Sequence, residues 1–272
     1  MQLFKFFEIA LVVLTLGSGL VLLFDRLYWR KRRLARAGLL DDGSEPVLVD
    51  WSRSFFPVLA VVLVVRSFVA EPYRIPSSSM MPNLLIGDFI LVNKFSYGLR
   101  LPISNAKIIP TWEPERGDVV VFKPPHDPDQ NWIKRIIGLP GDRVGFRGNT
   151  LYLNGEPVTY QLKGNYIGQG PGADMTGKSL LVENLPGREH TVLEDLRFVH
   201  PFVGQGDWVV PEGQYFVMGD NRDHSEDSRF WTQTSFLPDE LLRGKAFIIW
   251  LNCQDWFCKG SFDASRIGTR IQ

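Results

Sequence analysis

WIKRIIGLPGD, residues 132–142, is a short apolar run rich in Ile and Trp that stops at Leu-Pro-Gly-Asp. Seven such residues are too few for a stable helix, and the Pro-Gly ending marks a turn, so the run predicts a β-strand. Alternation along it places Lys134 on one face with Trp132 and Ile136, and Ile133, Arg135 and Ile137 on the other. Six further runs share this character: DFILVNKF (88–95), DVVVFKP (118–124), DRVGF (142–146), TLYLNG (150–155), QYFVMGD (214–220) and KAFIIWL (245–251). Each is rich in Val, Ile, Phe or Tyr and bounded by Gly, Pro, Asn or Asp. The Leu151–Val158 stretch predicts a hairpin turning at Asn154-Gly155. No segment after Pro72 sustains a helical apolar period over three turns. The expected class is therefore mainly β, an antiparallel sheet or barrel-like domain.

Upstream the pattern changes. Residues 6–24, FFEIALVVLTLGSGLVLLF, and 54–71, SFFPVLAVVLVVRSFVAE, are each close to the length needed to cross a bilayer core as helices. The first meets Asp25-Arg26-Leu27 rather than a small-residue cleavage site, which favours a retained span over a signal peptide. Arg66 sits near the end of the second, within reach of the interface. Between them stand Arg26, Arg30, Lys31, Arg32, Arg33, Arg36 and Arg53, against Lys5 alone before the first span. The positive-inside rule then places residues 25–53 in the cytoplasm and both ends of the chain outside. The expected organisation is an external N-terminus (1–5), transmembrane helix 1 (6–24), a basic cytoplasmic loop (25–53) and transmembrane helix 2 (54–71). A β domain (72–142 and 212–272) follows, interrupted by an inserted β subdomain (143–211).

The charges balance, 30 basic against 30 acidic residues, so no bulk field recruits nucleic acid. His126, His190, His200 and His224 lack the spacing of a zinc site, so no metal is expected. On the oxidising external side Cys253 and Cys258 are a disulfide candidate, two free thiols being the alternative. Gly172–Ser179, GADMTGKS, matches GxxxxGK[ST] letter for letter. It lacks the preceding strand and following helix that phosphate binding needs, so a polar loop is expected and no nucleotide.

Three segments could carry chemistry, and each has a plainer reading. Pro76-Ser77-Ser78-Ser79-Met80-Met81-Pro82 brackets serines between prolines, which fix φ on both flanks; a Ser-rich linker reads the same way. Lys134 lies in an apolar strand where burial would lower its pKa; a solvent-facing lysine on an edge strand is the alternative. An ordinary lysine is only about 0.04% neutral at pH 7, too little for an efficient base. Gly219–Arg229, GDNRDHSEDSR, could be a polar network or only a turn.

Taken together, PSSSMMPNLLIGDFILVNKF (76–95), RGDVVVF (116–122), IKRIIGLPGD (133–142) and GDNRDHSEDSR (219–229) resemble, in order, the motif boxes of bacterial signal peptidase I. The resemblance is weakest in the loop between the spans, in 143–211 and in the C-terminal tail. It implies a Ser/Lys-dyad endopeptidase, with Ser79 as nucleophile and Lys134 as general base. Ser77 and the Ser79 backbone N–H would form the oxyanion hole, and Ser225 would orient the lysine. Asp227 and Arg229 would be a supporting ion pair. Tyr73, Ile75, Met80, Ile90, Val121 and Ile133 would line shallow pockets for small residues at positions −1 and −3 of a signal peptide. Alternation puts Ile133 opposite Lys134, so both serve one site only if the cleft straddles the strand. One departure is Ser78, where relatives often have Gly.

The resemblance further implies preprotein substrates, no cofactor, a multi-pass place in the bacterial cytoplasmic (inner) membrane, and a catalytic domain on the periplasmic or external side. The lipid bilayer is an expected partner, and the Sec/Tat export machinery is a further candidate. Trp231, Trp250, Trp256, Phe257 and Phe262 are candidates for contact with the lipid interface, core packing being the competing reading. A non-catalytic membrane-anchored scaffold of the same fold is the alternative function. A Ser-x-x-Lys transpeptidase is excluded, because Pro82 stands three positions after Ser79.

Overall fold

The computed structural model describes residues 2–36, 45–101, 106–197, 204–253, 258 and 262–272. Trp256 and Phe257 lie outside the described residues. The chain divides into two units, residues 1–69 with 101–104 and residues 70–100 with 105–272.

The first unit is a pair of helices. α1 (Gln2–Phe24) runs through a π-helical turn (Asp25–Trp29) into α2 (Arg30–Arg36). α3 (Val47–Val64) continues through a second π-helical turn, Val65–Val69. Ile9–Ala35 and Val47–Val69 are long and apolar enough to cross a membrane. The helices thus extend past the apolar runs into the basic stretch that separates them. α1 and α3 pack closely at Gly19, where a Cβ would stand 2.9 Å from the Phe56 ring. Arg66 lies over the Phe7 ring at 4.9 Å, so the second helix ends beside the start of the first.

The second unit is built from strands. In chain order these are β1 (Ala70–Arg74), β2 (Asp88–Asn93), β3 (Leu99–Arg100), β4 (Lys107–Ile109), β5 (Val119–Phe122) and β6 (Trp132–Gly138). β7 (Arg143–Arg147), β8 (Thr150–Leu153), β9 (Glu156–Pro157), β10 (Thr159–Asn165), β11 (Ser179–Leu185) and β12 (Arg188–Glu194) follow. Last come β13 (Gly206–Val209), β14 (Gln214–Met218), β15 (Leu237–Pro238) and β16 (Leu242–Asn252). The main sheet has the order β1-β2-β16-β5-β6-β14-β15, and all its pairings are antiparallel. β16 reaches from β5 to β2, with register shifts along its length that bend it and curl the sheet.

Both faces of the sheet centre are covered, which is why β5 and β6 read as continuous apolar runs rather than alternating ones. Ile75, Met80, Leu84, Ile90, Val121, Ile133 and Ile249 pack on one face. Val120, Phe122, Ile136, Val217, Trp231 and Leu237 pack on the other. Residues 143–211 form two smaller sheets, β13-β7-β8-β9 and β10-β11-β12. The first turns between β8 and β9 at Asn154 and Gly155, both with positive φ, as a two-residue hairpin requires. These sheets join the main one through a core of Ile137, Val144, Leu151, Leu185, Phe216 and Met218. Trp231 is buried against Phe122 and Trp132, so it is a core residue, whereas Trp250 and Phe262 are exposed. Cys253 and Cys258 form a disulfide.

Candidate active site

The Ser77–Met81 loop follows directly from the strand that begins the β unit. Ile75 N–H donates to Asp88 O, and Gly87 N–H donates to Ile75 O, so the loop leaves a paired edge with its start fixed. Met80 then drives into the core and is fully buried, which orients the preceding residue outward from that face. Asn221 holds the loop from the opposite side. Its backbone N–H donates to Ser79 O at 3.0 Å, and its side-chain Nδ2 donates to Ser78 O at 3.1 Å.

Lys134 arrives from β6 and pairs in register with Val120. Its Nζ lies 2.9 Å from Ser79 Oγ, donating to it when protonated. Ser79 is 7% exposed and Lys134 is 4% exposed. Ser77 Oγ is 3.4 Å from Ser79 Oγ, so two hydroxyls and one amine meet at a single point. Burial pushes the Lys134 ammonium down to about 8. Asp227, Asp220 and Glu226 pull it back up, and Arg229 adds to the fall. Desolvation wins because, among the described residues, no carboxylate reaches hydrogen-bonding distance of Nζ; the 2.9 Å partner is a neutral hydroxyl. At pH 7 roughly a tenth of such lysines are neutral, a gain of more than a hundredfold over an ordinary lysine.

The residues around this pair carry the charge. Asp220 accepts from Arg135 Nε at 2.8 Å and Nη2 at 2.7 Å, a two-pronged pair wholly shielded from water. Asp227 accepts from Arg229 Nε and Nη2, both at 2.9 Å, and from the Gly219 N–H at 3.0 Å. Burial alone would raise both carboxyls, but the guanidinium groups hold them below the usual carboxylate range. Gly219 has no room for a side chain. A Cβ there would sit 2.2 Å from Ser225 Oγ and 2.6 Å from Ser79 O.

The residues expected from the sequence meet in two groups. Ser77, Ser79 and Lys134 converge, and Asp227 pairs with Arg229. Ser225 is buried close by, against the same side of Gly219 as Ser79 O, and its Oγ makes no hydrogen bond to Lys134. Tyr73, Ile75, Met80, Ile90, Val121 and Ile133 all fall in or against one apolar cluster. Ile133 and Lys134 do face opposite ways, as alternation requires, and the Ser77–Met81 loop bridges the two sides: Met80 joins the Ile133 face while Ser79 meets Lys134.

Sequence reasoning missed Arg135, Asp220 and Asn221 as individual site residues. An arginine in the middle of an apolar strand was the available signal, since a buried guanidinium demands a carboxylate. It also missed Lys178. The GxxxxGK[ST] string runs from a 3₁₀ turn, Gly170–Met175, into strand β11, so no helix N-terminus faces a phosphate. Lys178 instead reaches Asp223 and His224.

A β unit with a buried Ser–Lys pair next to a loop of paired charges defines a serine-hydrolase-like site. The sequence matches the family described as signal peptidase, peptidase S26, over residues 48–251. It is 40% identical to signal peptidase I of Pseudomonas aeruginosa, covering 96% of this chain and 98% of that one. Signal peptidase I of Pseudomonas fluorescens is 41% identical, over 90% of this chain and 92% of its own length. The crystal structure of a signal peptidase I from Enterococcus faecalis shares 30% identity, covering 49% of this chain and 96% of that one at a TM-score of 0.28. On the sequence matches, the chain belongs to the peptidase S26 signal peptidase family, serine peptidases that remove signal peptides. Its two apolar helices fit a membrane-anchored member.

Proposed function

We propose that Ser79 and Lys134 are the catalytic dyad of this peptidase. The observation that carries the reading is the 2.9 Å contact between Lys134 Nζ and Ser79 Oγ in a site dry enough to bring the lysine down to about 8. Neutral Lys134 takes the Ser79 proton as Oγ attacks the scissile carbonyl carbon. The oxyanion that forms is stabilised by the Ser77 hydroxyl and the Ser79 N–H. The C–N bond then breaks, and the leaving amine takes the proton from Lys134. The same lysine next deprotonates a water that attacks the acyl carbon; the bond from that carbon to Ser79 Oγ breaks, and Lys134 returns the proton to Oγ. Asp227 with Arg229 supports the loop that carries Ser225, which is buried beside the dyad.

The substrate is an exported preprotein with small residues at −1 and −3 of its signal peptide. The cluster of Tyr73, Ile75, Met80, Ile90, Val121 and Ile133 supplies the apolar walls for those residues. The seven basic residues among positions 25–53 support a cytoplasmic place for that stretch in the bacterial cytoplasmic membrane, with the catalytic unit outside. The lipid bilayer and the export machinery are its proposed partners.

The test is cleavage of a purified preprotein by the full chain in detergent, from pH 6 to 9. Ser79→Ala and Lys134→Ala are each expected to lower kcat/KM by at least about 10⁴-fold. Wild-type kcat/KM is expected to climb with pH and level off above about 8. A flat profile, or an active Lys134→Ala, would overturn the lysine base.

A further inference from the structure

Strand β11 carries two buried charged groups that act outside their own sheet. Lys178, immediately before its first residue, donates from Nζ to Asp223 Oδ2 at 2.9 Å and lies 2.9 Å from His224 Nδ1. Glu183, in the same strand, accepts from Arg222 Nη2 at 2.5 Å and from Tyr160 OH at 2.7 Å. Arg222, Asp223 and His224 are one 3₁₀ turn, and Ser225 is the residue that ends it. The strand therefore grips both ends of a three-residue turn. Neighbouring main chain helps: Leu193 N–H donates to Asp220 O, and Asp195 N–H donates to Asp223 Oδ2 at 2.7 Å.

What the turn carries is the surroundings of Lys134. Ser225 stands against Gly219, and Gly219 against Ser79 O. Asp220, Glu226, Asp227 and Arg229, the charged groups that act on Lys134, all belong to the same loop. Arg229 also donates to Arg222 O at 2.8 Å, so a shift of the turn passes directly to the Asp227–Arg229 pair.

We propose that Lys178 is a positioning residue for peptide cleavage, holding Asp223 and His224 so that Ser225 and the charged loop stay closed over Lys134. The proposal rests on the Ser79–Lys134 reading and gives the inserted β10-β11-β12 sheet a task, that of a clamp on the catalytic loop. The 178–183 segment contacts the turn through charged heads rather than apolar packing, so the grip is directional and sensitive to one atom. With it released, the loop loosens and water reaches Lys134; because burial is the largest influence on that amine, its proton is then held to higher pH.

The experiment compares wild type, Lys134→Ala, Lys178→Met, Lys178→Arg and Asp223→Asn as full chains in detergent, measuring kcat, KM and the pH profile of preprotein cleavage. Lys178→Met is expected to lower kcat by about 10- to 100-fold, with KM within about twofold of wild type. The rising limb of its pH profile should move to higher pH. Lys178→Arg, which keeps a donor, should recover most of the rate, and Asp223→Asn should reproduce the loss from the opposite partner even if Lys178→Met fails to fold. Unchanged kcat and pH limb in folded Lys178→Met or in Asp223→Asn, beside a dead Lys134→Ala, would overturn the clamp alone. A raised KM at unchanged kcat would also overturn it, making the segment a substrate contact. An active Lys134→Ala would remove the dyad and the clamp together.

Discussion

On one face of β6, Arg135 is met by both oxygens of Asp220, by Gly117 O at 2.7 Å and by Gln272 O at 2.6 Å. On the other face, one residue earlier, Lys134 is met by one serine hydroxyl at 2.9 Å and lies over the Trp132 ring, its Nζ 5.4 Å from the ring centre. The two cations are equally hidden from water, at 0% and 4% exposure. One has full compensation. The other is denied it and is pushed toward neutrality. Within a single strand, then, the fold builds a fully paired cation and a poorly paired amine by what it sets opposite each. Amino-acid type fits the division, since guanidinium does not deprotonate in proteins whereas a buried lysine shifts readily.

The comparison can be broken most forcefully on the Arg135 side. Arg135→Met leaves Asp220 buried without its guanidinium partner and is expected to destabilise the protein by about 4 kcal/mol, read from urea or thermal unfolding of the detergent-solubilised chain. Lys134→Met should do the reverse. The unfolded lysine holds its proton up to about 10.5 and the folded one only to about 8, so below pH 8 the folded state carries a penalty that methionine removes. The expected gain is about 3 kcal/mol at pH 7, shrinking as pH rises from 8 to 10.5. A loss of stability in Lys134→Met would show that the lysine is compensated after all. The smallest effect sharpens the electrostatic side: Asp227 raises the proton affinity of Lys134, so Asp227→Asn should move the rising limb of kcat/KM to lower pH by about one unit.

How far the sequence foretold this arrangement differs between its parts. The seven runs from Asp88 to Leu251 were legible because apolar and β-branched residues stop at Gly, Pro, Asn or Asp, and each coincides with a strand. β1 was hidden at the end of an apolar run, where Ala70 continues the helix pattern and Pro72 argues against a strand. β11 and β12 were hidden for another reason. Ser179–Leu185 sits in Gly-rich surroundings with a glutamate and an asparagine at Glu183 and Asn184, and its strand form comes from its ladder with Arg188–Glu194. Glu183 looks like a surface residue until Arg222 arrives from a distant loop. The same holds at the site. Ser79 and Lys134 are 55 positions apart, and nothing local in either segment announces the other. Only the order of four motifs linked them, and the partners of Arg135 and Lys178 needed the folded chain.

Gly219 sets a limit of a different kind. With Ser225 Oγ and Ser79 O both within 2.6 Å of where a Cβ would stand, the position tolerates no change that adds an atom. For a lineage under selection, most positions of the chain can be explored by substitution. Codon 219 is closed to that search. A compound whose grip depended on the main chain running through this point would meet a target with few routes of mutational escape.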